Sequence, residues 1–350
     1  MKTIDDYINE IKSYNGPPLT FMEVCGTHTR SIFEYGIHEI LPPNIKLISG
    51  PGCPVCVTPS GYIDYAAQLS LRENNILCTF GDMVRVPGSK TSLSRVKASG
   101  GKINIMYSPM DVIYWAESNP EKTYIVAAVG FETTLPIYAL MLDQIVEKNL
   151  MNVKFLTSIK ALMPALYWIC DNSQKINGFI GPGHVSTIIG ADVYKPLCEK
   201  YHIPLAVSGF SFEHIVAAIY DLIMQSNNKT NEVHNLYTNA VSKNGNTDAK
   251  QKISKYFELS ESLWRGLGNI NDSGYFLSEE YREFDAGSKN DYLAAEPANC
   301  LCGKVIIGQA SPHDCPLFKT NCTPLTPVGP CMVSSEGTCG IWFHNQSKNR

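Results

Sequence analysis

The stretch Tyr124-Ile125-Val126-Ala127-Ala128-Val129 is an unbroken apolar run, which the turn Gly130-Phe131-Glu132-Thr133-Thr134 joins to the helix-length segment Leu135–Lys148. A run without polar alternation is typical of a strand that is buried on both faces of a parallel sheet. The same order recurs from Asn44 to about Gln225. The other runs are Lys46-Leu47-Ile48, Ile76-Leu77-Cys78-Thr79-Phe80, Ile103-Asn104-Ile105-Met106-Tyr107, Val153-Lys154-Phe155-Leu156, Gly178-Phe179-Ile180 and Pro204-Leu205-Ala206-Val207. Alternating strands and helices predict an α/β fold with parallel sheets and right-handed crossovers.

Two of the turns that follow apolar runs resemble each other, Gly50-Pro51-Gly52-Cys53 and Gly181-Pro182-Gly183-His184. Such a repeat favours two similar lobes over one large sheet. We therefore expect two parallel-sheet α/β lobes, residues 31–118 and 119–225, that face each other across a cleft and bring both turns to it. Residues 1–30 and 226–350 form a third region, whose sequence pattern is mostly helical or irregular.

Charge and hydropathy narrow the class of protein. The 29 Lys and Arg and 33 Asp and Glu residues give a formal net charge of −4 without basic blocks, which argues against binding to nucleic acid or to an anionic membrane. The sequence has no apolar run of the roughly 18 residues that predict a transmembrane helix. Asp5, Asp6 and Glu10 lie where a signal peptide needs an apolar core, so we expect a cytoplasmic protein.

Cysteine is unevenly distributed along the chain. Six of the 12 cysteines lie close together near the C-terminus: Cys300, Cys302, Cys315, Cys322, Cys331 and Cys339. Their spacing matches neither the ferredoxin pattern nor paired zinc ligands. Six thiols can supply four ligands to an iron–sulfur cluster and leave a pair that could form a disulfide beside it. The alternative, three structural disulfides, requires an oxidising compartment that nothing else in the sequence supports. The sequence therefore predicts a cluster in the third region.

Glycine-containing turns follow the strands, and ligands gather at the carboxyl ends of strands in parallel sheets. Cys53 and Cys56 lie at the start of a helix, spaced as Cys-x-x-Cys, which suits a redox dithiol, half a metal site or a merely structural pair. A helix N-terminus favours a reactive thiolate. Cys25 has Gly26 beside it and His28 three residues further on. This arrangement is compatible with a nucleophile, with a soft-metal ligand or with a buried structural cysteine.

Several of these motifs, taken together, resemble the HypD family of hydrogenase maturation factors. The resemblance extends from about Phe21 to Cys339, nearly the whole chain. It rests on Cys25-Gly26-Thr27-His28-Thr29, Gly50-Pro51-Gly52-Cys53-Pro54-Val55-Cys56, Thr79-Phe80-Gly81-Asp82-Met83, Gly130-Phe131-Glu132-Thr133-Thr134, Gly181-Pro182-Gly183-His184-Val185-Ser186, Trp264-Arg265-Gly266-Leu267-Gly268, Cys322-Thr323-Pro324 and Pro330-Cys331-Met332-Val333-Ser334-Ser335-Glu336-Gly337.

The resemblance implies a cytosolic scaffold on which the Fe(CN)2CO group of [NiFe]-hydrogenase is assembled. It further implies that the third region carries a [4Fe–4S] cluster with a disulfide beside it, an arrangement similar to ferredoxin–thioredoxin reductase. The implied cluster ligands are Cys300, Cys315, Cys322 and Cys339. Cys302 and Cys331 are then the adjacent redox pair.

In the cleft, the resemblance implies that Cys53 and Cys56 are a dithiol and that Cys25 binds the iron being assembled. The chaperone HypC would supply a second cysteine ligand. HypE, whose thiocyanate is made with HypF, would deliver cyanide. We expect His184 and Glu132 near the dithiol, where a general acid assists cyanide transfer, and His28 beside Cys25, which it would orient.

Two other functions share some of these features. One is a cluster-dependent thiol–disulfide reductase of the ferredoxin–thioredoxin reductase type, which uses the cluster and both cysteine pairs but gives Cys25 no role. The other is an interaction module that zinc or disulfides stabilise, without redox activity. Our main expectation is a redox-active maturation scaffold rather than a conventional metabolic enzyme. Compared with these two alternatives, it assigns a role to more of the motifs.

Overall fold

The structure, a computed structural model, describes residues 2–172, 176–290 and 292–345. Residues 1, 173–175, 291 and 346–350 of the predicted regions lie outside the described residues. Within the described residues, no helix is both long and apolar enough to cross a membrane.

The described strands form two sheets. The strands are β1 Leu19–Glu23, β2 Ile45–Ser49, β3 Asn75–Thr79, β4 Ile103–Ile105, β5 Thr123–Gly130, β6 Val153–Lys160, β7 Gly178–Pro182, β8 Leu205–Ser208, β9 Val233–Asn235, β10 Phe257–Trp264 and β11 Gly268–Leu277. Sheet A has the order β2-β1-β7-β8-β9 and is parallel throughout. Sheet B has the order β10-β11-β6-β5-β3-β4; its strands β3 to β6 are parallel, and the hairpin β10–β11 is antiparallel.

Helices follow most strands, as the alternating pattern predicts. They are α1 Ile4–Lys12, α2 Gly26–Glu34, α3 Pro54–Val57, α4 Ser60–Ser70, α5 Gly81–Val84, α6 Leu93–Ala98, α7 Asp111–Ser118, α8 Leu135–Glu147, α9 Leu162–Asn172, α10 Gly183–Ile189, α11 Lys195–Tyr201, α12 Phe212–Asn228, α13 Thr247–Tyr256, α14 Cys302–Ile306 and α15 Thr338–Asn345. Short 3₁₀ turns span Ile37–Ile40, Asp192–Tyr194, Glu279–Phe284, Pro312–Asp314 and Pro330–Met332. Local sequence explains several helix ends: Ser211 caps α12 through its side chain, and a proline in the first turn begins α3, α8 and α11.

The predicted α/β fold class is confirmed, and each of the seven predicted strands is present. Four further strands, β1, β9, β10 and β11, complete the sheets. The hairpin β10–β11 belongs to the region expected to be mostly helical or irregular. The predicted helical piece Ala249–Leu259 ends at Tyr256, after which the chain enters β10.

The sheets group the strands differently from the predicted lobes 31–118 and 119–225. The chain leaves sheet A after β2, builds β3 to β6 of sheet B, and returns to sheet A at β7. Strands β2 and β7 therefore flank β1 in one sheet, and the two similar Gly-Pro-Gly turns lie at the same sheet edge rather than on facing lobes. Alternating strands and helices do not specify this exchange, because a connection within one sheet and a connection between two sheets have the same local sequence pattern.

The central strands β5 to β8 are buried on both faces, which explains their unbroken apolar runs. Along β5, Ile125, Ala127 and Val129 face a central core, and Val126 and Ala128 face a second core that includes residues of α8. The central core also includes residues from one face of sheet A, from helix α3 and from the terminal cysteines. It therefore joins the two sheets to the C-terminal region. A third core lies between sheet A and helices α1 and α12.

The layer formed by α8 gives a matched test of this packing. Leu142 is 0% exposed and Leu140 is 43% exposed in the same helix. We expect Leu142→Ala to lower the free energy of unfolding by about 2–5 kcal/mol, because it removes buried methyl groups and leaves a cavity. Leu140→Ala should change it by less than about 0.5 kcal/mol. Urea unfolding of both variants measures the difference, and equal effects would contradict the packing of α8.

Candidate metal and thiol site

Cys25 lies where β1 ends and α2 begins, at the N-cap of the helix. The backbone of the turn after β2 lies directly on it. A Cβ atom built on Gly52 would be 2.4 Å from the Cα atom of Cys25, so only glycine permits this approach. The Gly26 N–H also donates to the Gly52 carbonyl at 3.4 Å. The structure therefore brings Cys25 next to the turn that carries Cys53.

Cys53 and Cys56 form a disulfide, with their Cα atoms 5.2 Å apart. Cys53 is the N-cap of α3, and its sulfur accepts a hydrogen bond from the Cys56 N–H at 3.2 Å. Both residues are buried. Helix α3 packs against β5 of sheet B, against α14 and against the 3₁₀ turn Pro330–Met332. The disulfide thus lies between the two sheets and the C-terminal region.

Burial and negative neighbours keep the Cys25 thiol protonated at neutral pH. Burial, with a smaller contribution from the nearby Glu336 carboxylate, raises the pKa of Cys25 to about 12. The backbone N–H groups of His28 and Thr27 lie near the sulfur and act in the opposite direction. A bound cation can displace the proton, because a coordinating thiol is deprotonated. The site therefore favours a metal-bound or protonated sulfur over a free thiolate.

Two carboxylates adjoin Cys25, and sequence reasoning assigned neither of them to the site. Glu23, at the end of β1, accepts a hydrogen bond from the Cys25 N–H at 3.2 Å and one from the Thr29 hydroxyl. Burial raises the pKa of Glu23 to about 8. Glu336 comes from the C-terminal region and accepts a hydrogen bond from the Thr27 hydroxyl at 3.1 Å. Glu336 belongs to the sequence motif at residues 330–337, but only the fold brings that motif to α2.

His28 and His184 both pack against one aromatic ring, that of Phe210. The Phe210 ring centroid is 4.7 Å from that of His28 and 4.0 Å from that of His184. His28 is fully buried, and its Nε2 lies 2.9 Å from the Gly209 carbonyl, so Nε2 carries the proton. Its Nδ1 has no partner among the described residues. Burial lowers the pKa of His28 to about 4, so the ring is neutral, whereas His184 is exposed.

Glu132 reaches the same interior from sheet B. It lies just beyond β5, and one carboxyl oxygen accepts a hydrogen bond from the Leu162 N–H at 2.8 Å. The other oxygen has no partner within the described residues, and burial raises the pKa of Glu132 to about 7. Burial also raises the pKa of Tyr194, and the charges of Glu132 and Cys25 add to this increase. Tyr194 therefore lies within electrostatic range of both groups.

The six terminal cysteines line one small cavity together with Phe318, Gly329 and Met332. The sulfur atoms of Cys302 and Cys331 lie 2.8 Å apart. A Cβ atom on Gly329 would be 3.1 Å from the Cys300 sulfur and 3.6 Å from the Cys302 sulfur, so the absence of a side chain keeps this space open. The structure thus brings together all the cysteines that the sequence grouped.

These residues fit an iron–sulfur cluster. Burial raises the pKa of Cys300 to about 12, and the charges of Cys302, Cys315 and Cys322 add to the increase. Burial and the neighbouring sulfurs raise the pKa of Cys339 in the same way. Such thiols ionise only when cations compensate their charge. In the part of the chain that the structure describes, no three His, Cys, Asp or Glu side chains converge on a single metal ion. A cluster does not require this, because its ligands bind different irons.

The tip of the hairpin β10–β11 joins the two cysteine pairs. The backbone N–H of Arg265 donates to the carbonyl of Val57, the residue after Cys56, at 2.8 Å. The backbone of Gly266 contacts that of Gly303, the residue after Cys302. Trp264 is buried beside this tip, and its indole N–H donates to the Ser273 hydroxyl at 2.8 Å. The quoted motif Trp264-Arg265-Gly266-Leu267-Gly268 is therefore part of the site.

Comparison with known proteins identifies the family. The family model HypD, described as "Hydrogenase formation hypA family", matches residues 2–346. The chain belongs to the HypD family. It is 42% identical over 345 residues to the hydrogenase maturation factor HypD2 of Bradyrhizobium diazoefficiens, covering 95% of this chain and 91% of that protein. It is 41% identical over 333 residues to HypD of Azotobacter vinelandii, covering 92% and 88%. It is 40% identical over 331 residues to HypD of Escherichia coli, covering 93% and 89%.

Family membership confirms the resemblance that the motifs carried, and hydrogenase maturation is the function it supports. The structure brings Cys25 next to the turn of Cys53 and Cys56, packs His28 and His184 against Phe210, and gathers the six late cysteines around one cavity. The expected closeness of His184 and Glu132 to the dithiol stays a prediction. The neighbours that sequence reasoning missed are Glu23, Tyr194, Phe210, Arg265 and Glu336. Arg265 and Glu336 lie within motifs that were quoted without a role, whereas only the fold brings Phe210 to the histidines.

Glu132 predicts a distinct dependence of stability on pH. Its folded pKa, about 7, is above the ordinary value of 4.5, so the folded state retains a proton that the unfolded state has lost between these values. Its contribution to stability is therefore full below about pH 4.5 and is lost as the pH rises through about 7. Glu132→Gln cannot ionise and keeps an acceptor for Leu162. Across this pH window, the free energy of unfolding of Glu132→Gln should increase relative to that of the wild type by about 1.4 kcal/mol per pH unit.

Urea unfolding at closely spaced pH values from 4 to 8, roughly the range of these two pKa values, measures the effect. The exposed Glu283 provides the matched control for the change of charge, as Glu283→Gln. Parallel pH profiles for Glu132→Gln and the wild type would contradict the buried, protonated state of Glu132.

Proposed function

We propose that this chain is the cytoplasmic scaffold on which the Fe(CN)2CO group of [NiFe]-hydrogenase is assembled, with Cys25 as the iron ligand. The observation that carries the proposal is the position of Cys25 at the N-cap of α2, beneath the turn that leads to the Cys53–Cys56 disulfide. A soft thiolate suits low-spin iron. Family membership supports the wider role in hydrogenase maturation.

Iron binding at Cys25 requires loss of the thiol proton, because the thiolate is the ligand. The N–H groups of Thr27 and His28 stabilise the negative sulfur, whereas Glu336 opposes it. The bound cation offsets that opposition. In the proposal, the partner HypC supplies a second cysteine to the same iron, so the two chains share the metal while the other ligands are added.

Cyanide delivery explains the two cysteine pairs. HypE carries a thiocyanate, and cleavage of its S–C bond releases cyanide and a thiolate when two electrons are supplied. A dithiol at Cys53 and Cys56 supplies both electrons and two protons as it becomes the disulfide that the structure contains. Helix α14, which begins at Cys302, and the 3₁₀ turn that contains Cys331 pack on α3, so that a dithiol at Cys302 and Cys331 would re-reduce that disulfide. Cys300, Cys315, Cys322 and Cys339 would hold the [4Fe–4S] cluster, which would pass electrons one at a time from an external one-electron donor, such as a reduced iron–sulfur protein.

His184 and Glu132 suit proton transfer in the cleft. His184 is exposed on the Phe210 ring, where it can donate a proton to the departing sulfur. Glu132 has a pKa of about 7, so it can hold or release a proton near neutral pH. His28 is neutral and fixed by the Gly209 carbonyl, which suits a role in positioning Cys25 and the Phe210 ring.

A thiol–disulfide reductase of the ferredoxin–thioredoxin reductase type is the second candidate. The packing of the Cys53–Cys56 disulfide against the segments of Cys302 and Cys331 favours it. It leaves Cys25, Glu23 and Glu336 without a role. Infrared bands of bound CO and CN on a complex of this chain with HypC would separate the scaffold from the reductase. Iron and labile sulfide in anaerobically purified protein would exclude a zinc- or disulfide-stabilised module.

Replacement of Cys25 tests the iron ligand. Cys25→Ser has nearly the same size but offers a hydroxyl, which is a poor ligand for low-spin iron. We expect the folded variant to dock HypC without CO and CN infrared bands. Cys78→Ser makes the same change in the core of sheet B and is the matched control: it should lose stability, about 1–3 kcal/mol for an unpaired buried hydroxyl, but keep the bands. Normal bands on the Cys25→Ser complex would reject the assignment.

The division of the terminal cysteines is tested separately. We expect Cys322→Ala to lose iron and labile sulfide and to unfold the C-terminal segment, because metal-binding energy is folding energy there. Cys331→Ala should keep the cluster, with its absorption and iron content, but fail to reduce the Cys53–Cys56 disulfide. If Cys302→Ala loses its iron while Cys300→Ala retains it, the division between cluster ligands and redox pair is the reverse of the one proposed.

A further inference from the structure

The end of β6 carries a buried amine, that of Lys160. The residue is 2% exposed, and burial of a lysine amine is unfavourable unless hydrogen bonds compensate it. Its Nζ donates two hydrogen bonds to strand β10, to the Ser262 hydroxyl at 2.6 Å and to the Leu263 carbonyl at 2.8 Å. The Trp264 ring centroid lies 5.8 Å from the same nitrogen, within the range of a cation–π contact. The Lys160 side chain is therefore fixed on the hairpin β10–β11.

Lys160 holds this hairpin where its regular pairing stops. The backbone pairing of β11 with β6 ends at Lys160, and the register between β10 and β11 shifts after Ser260. The N–H of the next residue, Ala161, donates to the Ser273 carbonyl of β11 at 2.9 Å. Lys160 and Ala161 thus each fix one strand at the base of residues 262–270, which we call the distal hairpin.

The distal hairpin contacts the elements that carry both cysteine pairs. The Arg265 N–H donates at 2.8 Å to the carbonyl of Val57, the last residue of α3. A Cβ atom on Gly303 would be 2.8 Å from the Cα atom of Gly266. Gly303 follows Cys302 inside α14, where alanine is otherwise the more favourable residue. The missing side chain is what permits the close approach of the distal hairpin to α14.

These contacts determine how α3 and α14 lie relative to each other. Helix α3 carries Cys56 and packs against α14, which begins at Cys302. The distal hairpin is hydrogen-bonded to α3 and in backbone contact with α14, so a displacement of the hairpin changes the separation of the two helices. Thiol–disulfide exchange requires a thiolate to reach a disulfide sulfur, and its rate is therefore sensitive to this separation.

We propose that Lys160 is a positioning residue that holds the distal hairpin against α3 and α14 and thereby sets the distance for exchange between the cysteine pairs. The inference rests on the proposed function, in which a dithiol at Cys302 and Cys331 reduces the Cys53–Cys56 disulfide. One thiolate of the terminal pair attacks that disulfide and releases a thiolate, and its partner then attacks the mixed disulfide and releases the second. Two electrons and two protons pass from one pair to the other, so the exchange itself needs no further reductant.

The test follows both pairs by mass spectrometry of alkylated peptides from the anaerobically purified full chain. Both pairs are first oxidised, and reduced methyl viologen then supplies electrons one at a time. Lys160→Met removes the amine but keeps a long side chain. It should slow reduction of the Cys53–Cys56 disulfide at least about tenfold, because misplacing reacting groups by about 1 Å can cost about 100-fold in rate. The iron content and the reduction of Cys302 and Cys331 should stay at the wild-type level.

Lys154→Met is the matched control on the same strand. The Lys154 amine donates to the Glu283 carbonyl at 2.7 Å and lies 5.8 Å from the Phe284 ring centroid. These partners belong to a 3₁₀ turn that follows β11, rather than to the distal hairpin. Lys154→Met should therefore reduce both cysteine pairs at the wild-type rate.

Each outcome decides the inference. A wild-type rate in Lys160→Met, or an equal slowing in Lys154→Met, overturns it. If Lys160→Met does not fold, Gly303→Ala decides, because its methyl group displaces the distal hairpin from α14 and should slow the same step; a wild-type rate there overturns the inference as well. If the wild type reduces its terminal pair without passing electrons to Cys53 and Cys56, the proposed electron transfer fails together with the inference. Normal transfer that no variant slows removes only the inference.

Discussion

Burial of sulfur away from water is the constraint on which the rest of this structure depends. A buried thiolate is unfavourable unless a cation or a hydrogen-bond donor compensates it. The chain meets this constraint in three ways: Cys53 and Cys56 share a disulfide, Cys25 keeps its proton, and the terminal cysteines surround a cavity that suits iron. Each solution leaves the sulfur uncharged until another species arrives, whether electrons or a metal.

The architecture brings these sulfurs together through one central core. Neither sheet alone forms the site: sheet A supplies Cys25 and the turn of Cys53, sheet B supplies Glu132, and the C-terminal region supplies Glu336. Helix α3 lies where the three parts meet. The hairpin β10–β11 pairs with β6, and Gly266 at its tip contacts Gly303, the residue after Cys302. The exchange of the chain between sheets after β2 and before β7 makes this convergence possible.

Sequence reasoning found the strands that are buried on both faces, because their apolar runs leave a strong local signal. It missed β10, because polar residues such as Glu258 and Glu261 interrupt its apolar residues without a regular period, on a half-exposed edge strand. It could not assign strands to sheets, since the pairing of β2 and β7 with β1 is not encoded locally. The cysteines and histidines were identified from motifs, whereas Phe210 and Glu23 carry no comparable signal. Their place in the site depends on tertiary contacts.

The position of β2 affects the tendency of the protein to associate with other copies of itself. β2 is an outer strand of sheet A, and residues 308–312 of the C-terminal region face it across a cavity of about 660 Å³. An uncovered strand edge is a template for pairing with another chain. The cysteine-rich segment thus shields the sheet as well as serving the site, and a molecule that fails to order this segment exposes β2 to self-association.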